Sequence, residues 1–262
     1  MSSTTQYRCE ENVVTLLESA KLSLNGLRFV HATYHHLDNH PGWTPSHMSL
    51  KPTMTDSRIC TVLAAELCAT TGTPGANDIS MIRKGIEDVE GRNLFQHLEL
   101  DRRKVRFRYS KQMAEATQHF KNAKFAILDC DEIARLRSPW DVLFYTRASM
   151  VTRQDWPVFS LPRICPVSEP WKETKRTWLA AASRVGERLN QHYVVIPELD
   201  AKREHVTGVR VKIVHGRSKW SKGKIFPRYA IEPVCVVAHG KAETLSREKL
   251  RHRRDWSKAT GP

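Results

Sequence analysis

No CxxC pair occurs among the six cysteines, Cys9, Cys60, Cys68, Cys130, Cys165 and Cys235, which are scattered along the 262 residues. That spacing offers no zinc-ligand pair and no disulfide framework, and it predicts reduced thiols. No run approaches the ~20 apolar residues that a membrane-spanning helix requires. The opening residues MSSTTQYRCEENVV lack a basic segment followed by an apolar one, so they do not read as a secretory signal. These absences predict a cytoplasmic protein. A GxxxxGK[ST] phosphate loop is also missing, because Gly72-Thr73-Pro74-Gly75 lacks both the lysine and the Ser/Thr after it. His35 and His36 are adjacent, with no apolar residue between them, so the neighbouring Tyr34 is no evidence for a DNA-nicking tyrosine enzyme. No cofactor is expected.

Acidic residues are in short supply. The chain holds 42 Lys/Arg against 28 Asp/Glu, a net charge of +14, and the pI is near 9.7. The imbalance is uneven. Residues 1–100 carry 8 Lys/Arg and 11 Asp/Glu, a balance of −3, whereas residues 101–262 carry 34 and 17, a balance of +17. Such asymmetry points to a polyanionic partner for the C-terminal part, most simply nucleic acid.

The clearest helix is WKETKRTWLAAASRVGERLN, Trp171 to Asn190. Trp178, Ala182, Val185 and Leu189 fall at i, i+4, i+7 and i+11 and share one face. Lys172, Lys175, Arg176, Arg184 and Arg188 point mainly away from it. Two β-rich segments follow, His192 to Leu199 and Gly208 to His215, joined by the charged DAKREHVTG. A basic amphipathic helix followed by a charged hairpin is the sequence form of a winged helix, which offers one side of the helix to a groove of DNA.

The same order occurs earlier. Glu11 to Leu24 reads as a helix stopped by Asn25-Gly26, and Leu27 to Leu37 reads equally as helix or strand. Thr55 to Thr70 has helical spacing, with Thr55 or Asp56 as cap. Asn77 to Val89 is the next helix, capped by Asn77 or Asp78, with Arg83 and Lys84 on its exposed side. LFQHLEL (94–100) and KVRFRYS (104–110) alternate on either side of Asp101-Arg102-Arg103, a hairpin signal. Beyond it, Lys111 to Ala123 is expected to be helical, Lys124 to Leu128 a strand and Cys130 to Arg137 a helix. Ser138-Pro139 opens a helix over Trp140 to Met150. Helix, helix, helix, hairpin therefore appears at roughly 55–110 and again at 130–215.

These patterns predict an α+β protein of two tandem winged-helix domains with a basic C-terminal extension. Residues 1–110 would hold the first domain with an N-terminal helical extension, 111–215 the second, and 216–262 the extension. That last segment carries 12 Lys/Arg against 4 Asp/Glu and is expected to be mobile or to order on DNA, with a strand over Tyr229 to His239.

The run LFQHLELDRRKVRFRYSKQMAEATQHFKNAKFAILDCDEIARLRSPWDVLFYTRASM resembles the middle of the iteron-binding replication initiators of theta-type plasmids. Their "L-[DE]-x-x-E-I-x-x-L-x-S" pattern reads here as Leu128-Asp129, Glu132-Ile133, Leu136 and Ser138, and their "LY" as Phe144-Tyr145. Residues 171–190 and 193–215 are similar to that family's recognition helix and wing in order, length and charge. The resemblance implies binding to direct repeats at a plasmid origin, repression of the protein's own promoter as a homodimer, and recruitment of host initiator and helicase. It implies no nucleotide-hydrolysing site. No membrane partner is expected, because the basic residues are interleaved with β-rich and helical core patterns and not gathered on a lipid-binding helix.

On that reading Lys172, Lys175 and Arg176 contact DNA from the second domain, with Arg184 further along the helix. Lys202 and Arg203 in the wing are phosphate contacts. Arg83 and Lys84 are the first-domain counterparts, and Arg102 and Arg103 sit at the first wing's tip. Lys219, Lys222 and Lys224 would follow the backbone. Trp178 belongs to the core, while Trp220 and Trp256 lie within basic runs. His31, His35, His36 and His40 include i, i+4 pairs, but no cysteine or carboxylate completes a metal site, and packing or loop roles are expected. Asp129, Asp131 and Glu132 fall at a helix start, where carboxylates suit the dipole, so a metal-dependent nuclease or recombinase is the weaker alternative. A winged-helix transcriptional regulator without a replication role is the stronger alternative, ahead of an RNA-binding protein.

Overall fold

The computed structural model describes residues 5–39, 59–70, 79–118, 124–202, 204–214, 234–238 and 241–245. The chain forms two compact units, residues 1–142 and 143–262. Both mix helix and sheet, so the protein is α+β.

The first unit opens with strand β1 (Gln6–Glu10), helix α1 (Glu11–Ser19) and helix α2 (Leu24–Asp38). Ser23 caps α2, its hydroxyl accepting from the Gly26 N–H at 3.4 Å. Asn25-Gly26 therefore lies inside the first turn of α2 and does not stop a helix. Gly26 is there because helix α4 (Ser80–Val89) crosses at that point. A Cβ on Gly26 would run into the Asp88 carboxylate, which also accepts the Ser23 N–H at 2.7 Å. Gly85 answers from α4, where an added Cβ would lie 2.6 Å from the Phe29 Cβ. Two glycines thus let two helix backbones approach.

Residues 55–70, expected as one helix, fold otherwise from residue 59 onward. Strand β2 (Cys60–Leu63) precedes helix α3 (Ala64–Thr70). β2 pairs antiparallel with β4 (Lys104–Tyr109), from Cys60 opposite Phe107 to Leu63 opposite Lys104. Val62 is buried while Thr61 and Leu63 face out, a period of two. Pairing on a free sheet edge overrides the helical spacing of Ile59, Val62 and Leu63. With β3 (Phe95–Asp101) the sheet runs β2-β4-β3.

The first unit also extends past residue 110. Helix α5 (Lys111–Ala116), strand β5 (Phe125–Asp129) and helix α6 (Cys130–Arg135) fold back onto its N-terminal elements. β5 pairs antiparallel with β1, Leu128 opposite Tyr7. The Arg28 guanidinium on α2 donates to the carbonyls of Ala134 (2.6 Å) and Leu136 (2.7 Å), closing the end of α6. These pairings explain why the units divide within helix α7 (Pro139–Val151) and not at residue 110. α7 begins with a reciprocal cap: the Ser138 hydroxyl accepts the Asp141 N–H and donates to the buried Asp141 carboxylate at 2.7 Å.

In the second unit, strand β6 (Val158–Ser160) follows α7, and residues 161–170 form turns with no helix, as Pro162 and Pro166 dictate. Helix α8 (Trp171–Leu189) leads into strands β7 (His192–Leu199) and β8 (Val206–Val214). Strands β9 (Val234–Ala238) and β10 (Lys241–Leu245) complete a sheet of order β10-β9-β7-β8-β6. The described part of the C-terminal segment is therefore sheet, not an appended tail. The local order β6-β8-β7 repeats β2-β4-β3: in each unit a short strand joins the second strand of the following hairpin.

Two outcomes follow for the first unit. Gly85→Val is expected to lower stability by about 1–3 kcal/mol in urea denaturation, because β-branched bulk meets the α2 backbone and Phe29. Burial pushes the His31 imidazole down to about 4, while its Nδ1 lies 2.6 Å from the Tyr7 hydroxyl. A folded pKa below the unfolded value means stability that is complete above about pH 6.5 and declines as pH falls through about 4, by about 3 kcal/mol in all. His31→Gln is expected to flatten that part of the urea-midpoint against pH profile.

Candidate nucleic-acid interface

Helix α8 is set by its buried side. Trp171, Trp178, Ala181, Ala182, Val185 and Gly186 are buried. Phe144 joins the rings of Trp178, Phe159 and Tyr193 in one aromatic cluster. Phe144 stands edge-on to Tyr193 at 4.8 Å and to Phe159 at 5.3 Å, and its centroid lies 6.5 Å from that of Trp178. Gly186 faces the Gln191 carbonyl and the Tyr193 ring so closely that a Cβ would sit 2.8 Å from the former. Asn190, left-handed at φ 50°, ends the helix and turns the chain into β7.

With that side fixed, Lys172 and Arg176 are exposed and Lys175 is half-exposed. All three line one open depression with Leu179, Ala180 and Ser183 of the same helix and Ala242 of β10. None of the three cations forms a hydrogen bond or ion pair with any other described residue. Unneutralised cations along one helix stripe suit a polyanion. Arg184 is not in this group. It is half-exposed outside the depression and has an interaction of its own.

Lys202 is exposed in the β7–β8 turn, which Asp200 braces by accepting the Glu204 N–H at 2.9 Å. Arg203, Lys219, Lys222 and Lys224 lie outside the described residues, as do His40, Asn77, Asp78, Trp220 and Trp256.

In the first unit Arg83 and Lys84 are exposed on α4, but so is Glu87 on the same helix and Glu90 just beyond it. The stronger positive feature is the β3–β4 turn. Asp101 pairs with Lys104 in register, leaving Arg102-Arg103 as a two-residue tip. Arg106 reaches Asp101 at 3.4 Å and Glu99 at 3.9 Å and so occupies the hairpin's two carboxylates. Arg102, Arg103 and Lys104 remain exposed, without an ion pair among the described residues. Arg102 holds φ 53°, the left-handed region where a Cβ crowds the following carbonyl and glycine is favoured.

The other sequence candidates have structural roles. His31 bonds Tyr7, and the His35 ring stands edge-on to the same tyrosine at 5.7 Å. His36 lies 3.9 Å from Glu66. Asp129 caps α6, accepting the Asp131 N–H at 2.8 Å and the Thr5 hydroxyl at 3.2 Å, and Glu132 pairs with Arg135 at 3.4 Å. Among the described residues no group of three or more His, Cys, Asp or Glu is placed to hold a metal, and no helix is long and apolar enough to cross a membrane.

No protein-family model matches the chain, and no curated protein matches it by sequence. A solved structure does. The chain shares its fold with the Pi initiator protein, solved as a crystal structure in complex with iteron DNA. The match has a TM-score of 0.56 and 12% identity, and it covers 83% of this chain and 100% of that one. The resemblance drawn from residues 94–150 and 171–214 thus holds at the level of the fold.

The depression also contains residues that charge reading passed over. Leu179, Ala180 and Ser183 continue the stripe of Arg176 at i+3, i+4 and i+7, so helical periodicity alone would have found them. Ala242 has no such signal, because only sheet pairing brings it beside α8. For the first unit, Arg102→Gly is expected to leave thermal stability unchanged or to raise it by up to about 1 kcal/mol, since glycine adopts positive φ freely.

Proposed function

We propose that this chain is a sequence-specific double-stranded DNA-binding protein that initiates plasmid replication by binding direct repeats at an origin. Its two units act as tandem winged helices. The observation that carries the reading is the α8 stripe of Lys172, Lys175 and Arg176, held outward by buried Trp178 in a fold shared with an initiator solved on iteron DNA. α8 enters a major groove, where an arginine on a guanine edge discriminates by ~1–3 kcal/mol and a lysine on phosphate only positions the protein. Arg102, Arg103 and Lys104 meet phosphates from the hairpin tip of the first unit, and Lys202 does so from the β7–β8 turn. Arg83 and Lys84 contribute less, because Glu87 and Glu90 offset them. The protein acts by binding, with no chemistry of its own. Host initiator and helicase are its protein partners, and a homodimer represses its own promoter.

The test is footprinting and titration on the DNA beside the coding region. Protection of direct repeats is expected, with log affinity falling steeply against log salt. Lys175→Ala with Arg176→Ala is expected to weaken repeat binding at least about tenfold at unchanged folding, and Arg83→Ala with Lys84→Ala to weaken it less. Equal affinity for the repeats and for random duplex overturns the reading. Protection confined to a promoter replaces it with a transcriptional regulator.

A further inference from the structure

The depression beside α8 has a second wall. β10 is the edge of the five-stranded sheet, held through β9 to β7, and α8 packs on β7, β9 and β10. The strand's alternation decides which β10 side chains face α8. Ala242 lines the depression, and Thr244, two residues on, lies with its hydroxyl 3.7 Å from the buried Cys235 thiol. Lys241 and Glu243 alternate with Ala242 along the strand and so lie on its other face. Among the described residues, the wall opposite Lys172, Lys175 and Arg176 therefore offers a methyl group at Ala242, which is exposed. Beside it runs a sheet edge that pairs with no further strand among the described residues. Among the described residues the result is an open channel, positive along one side and without charge along the other.

We propose that this channel seats a sugar-phosphate strand of the bound duplex, which makes the β9–β10 hairpin a DNA-contacting element. The inference rests on α8 being the DNA-contacting helix. The phosphates run between the α8 cations and the β10 edge, and the small side chain at 242 leaves room for them. Backbone contacts of this kind position the protein without reading sequence, so the hairpin adds affinity equally to specific and nonspecific DNA.

Two substitutions of opposite charge at position 242 test this in the full chain, using a repeat-containing duplex and a random one. Ala242→Glu is expected to weaken both at least about tenfold. Ala242→Arg is expected to tighten both several-fold and to steepen the slope of log affinity against log salt by about one. Thermal melts and far-UV circular dichroism check that each variant folds. Because the position is exposed, charge and not damage decides the sign, and weakening by both variants overturns the proposal. Unchanged affinity in both variants, while Lys175→Ala with Arg176→Ala still weakens binding, also overturns it and leaves the function above standing. Unchanged affinity in that double variant as well overturns both.

Discussion

The burial of Trp178 beside Phe144, which itself stands edge-on to Phe159 and Tyr193, sets the second unit. A helix advances 100° per residue, so fixing one large side chain inward fixes the direction of every other. Magnitudes show which effect controls the orientation. Removing a buried tryptophan costs about 3–5 kcal/mol, whereas an exposed ion pair contributes about 0–1 kcal/mol. Packing therefore rotates α8, and the cations follow. Gly186 and Asn190 do the remaining work by letting the helix sit close to β7 and reverse into it.

The first unit solves the corresponding problem with small residues instead of a large one. Gly26 and Gly85 bring α2 and α4 together, and Asp88 ties the start of α2 to the end of α4. Arg83 and Lys84 are exposed on α4, and so are Glu87 on the same helix and Glu90 just beyond it. Positive charge is left without an ion pair among the described residues at the Arg102–Lys104 tip, because Arg106 has taken up the hairpin's carboxylates. One strand order serves both units, but charge is concentrated on a helix in one and on a hairpin turn in the other.

The N-terminal residues, which are not basic, have a structural task. β1 supplies the partner for β5, and Tyr7 packs on His31, Tyr34 and His35 of α2. Two of the histidines that suggested a metal spacing, His31 and His35, are thus partners of an aromatic ring. The carboxylates that suggested a nuclease start a helix.

Long amphipathic segments were legible in the sequence because their signal is local. α8, α4, the two hairpins and the Ser138-Pro139 helix start all declare themselves through periodicity, turn residues and caps. The charge asymmetry and the outward placement of Lys172, Lys175 and Arg176 were legible for the same reason. What the sequence could not decide depends on contacts distant along the chain. Residues 60–63 became a strand because β4 presents a pairing edge, and Asn25-Gly26 became helical because α4 needed the space. Residues 125–135 joined the first unit through β1 and Arg28. Ala242 came to stand beside α8 because β9 adds to β7. Periodicity and capping act over a few residues and can be read in order. Strand pairing and helix crossing join residues scores of positions apart, and only the folded chain decides which of them meet.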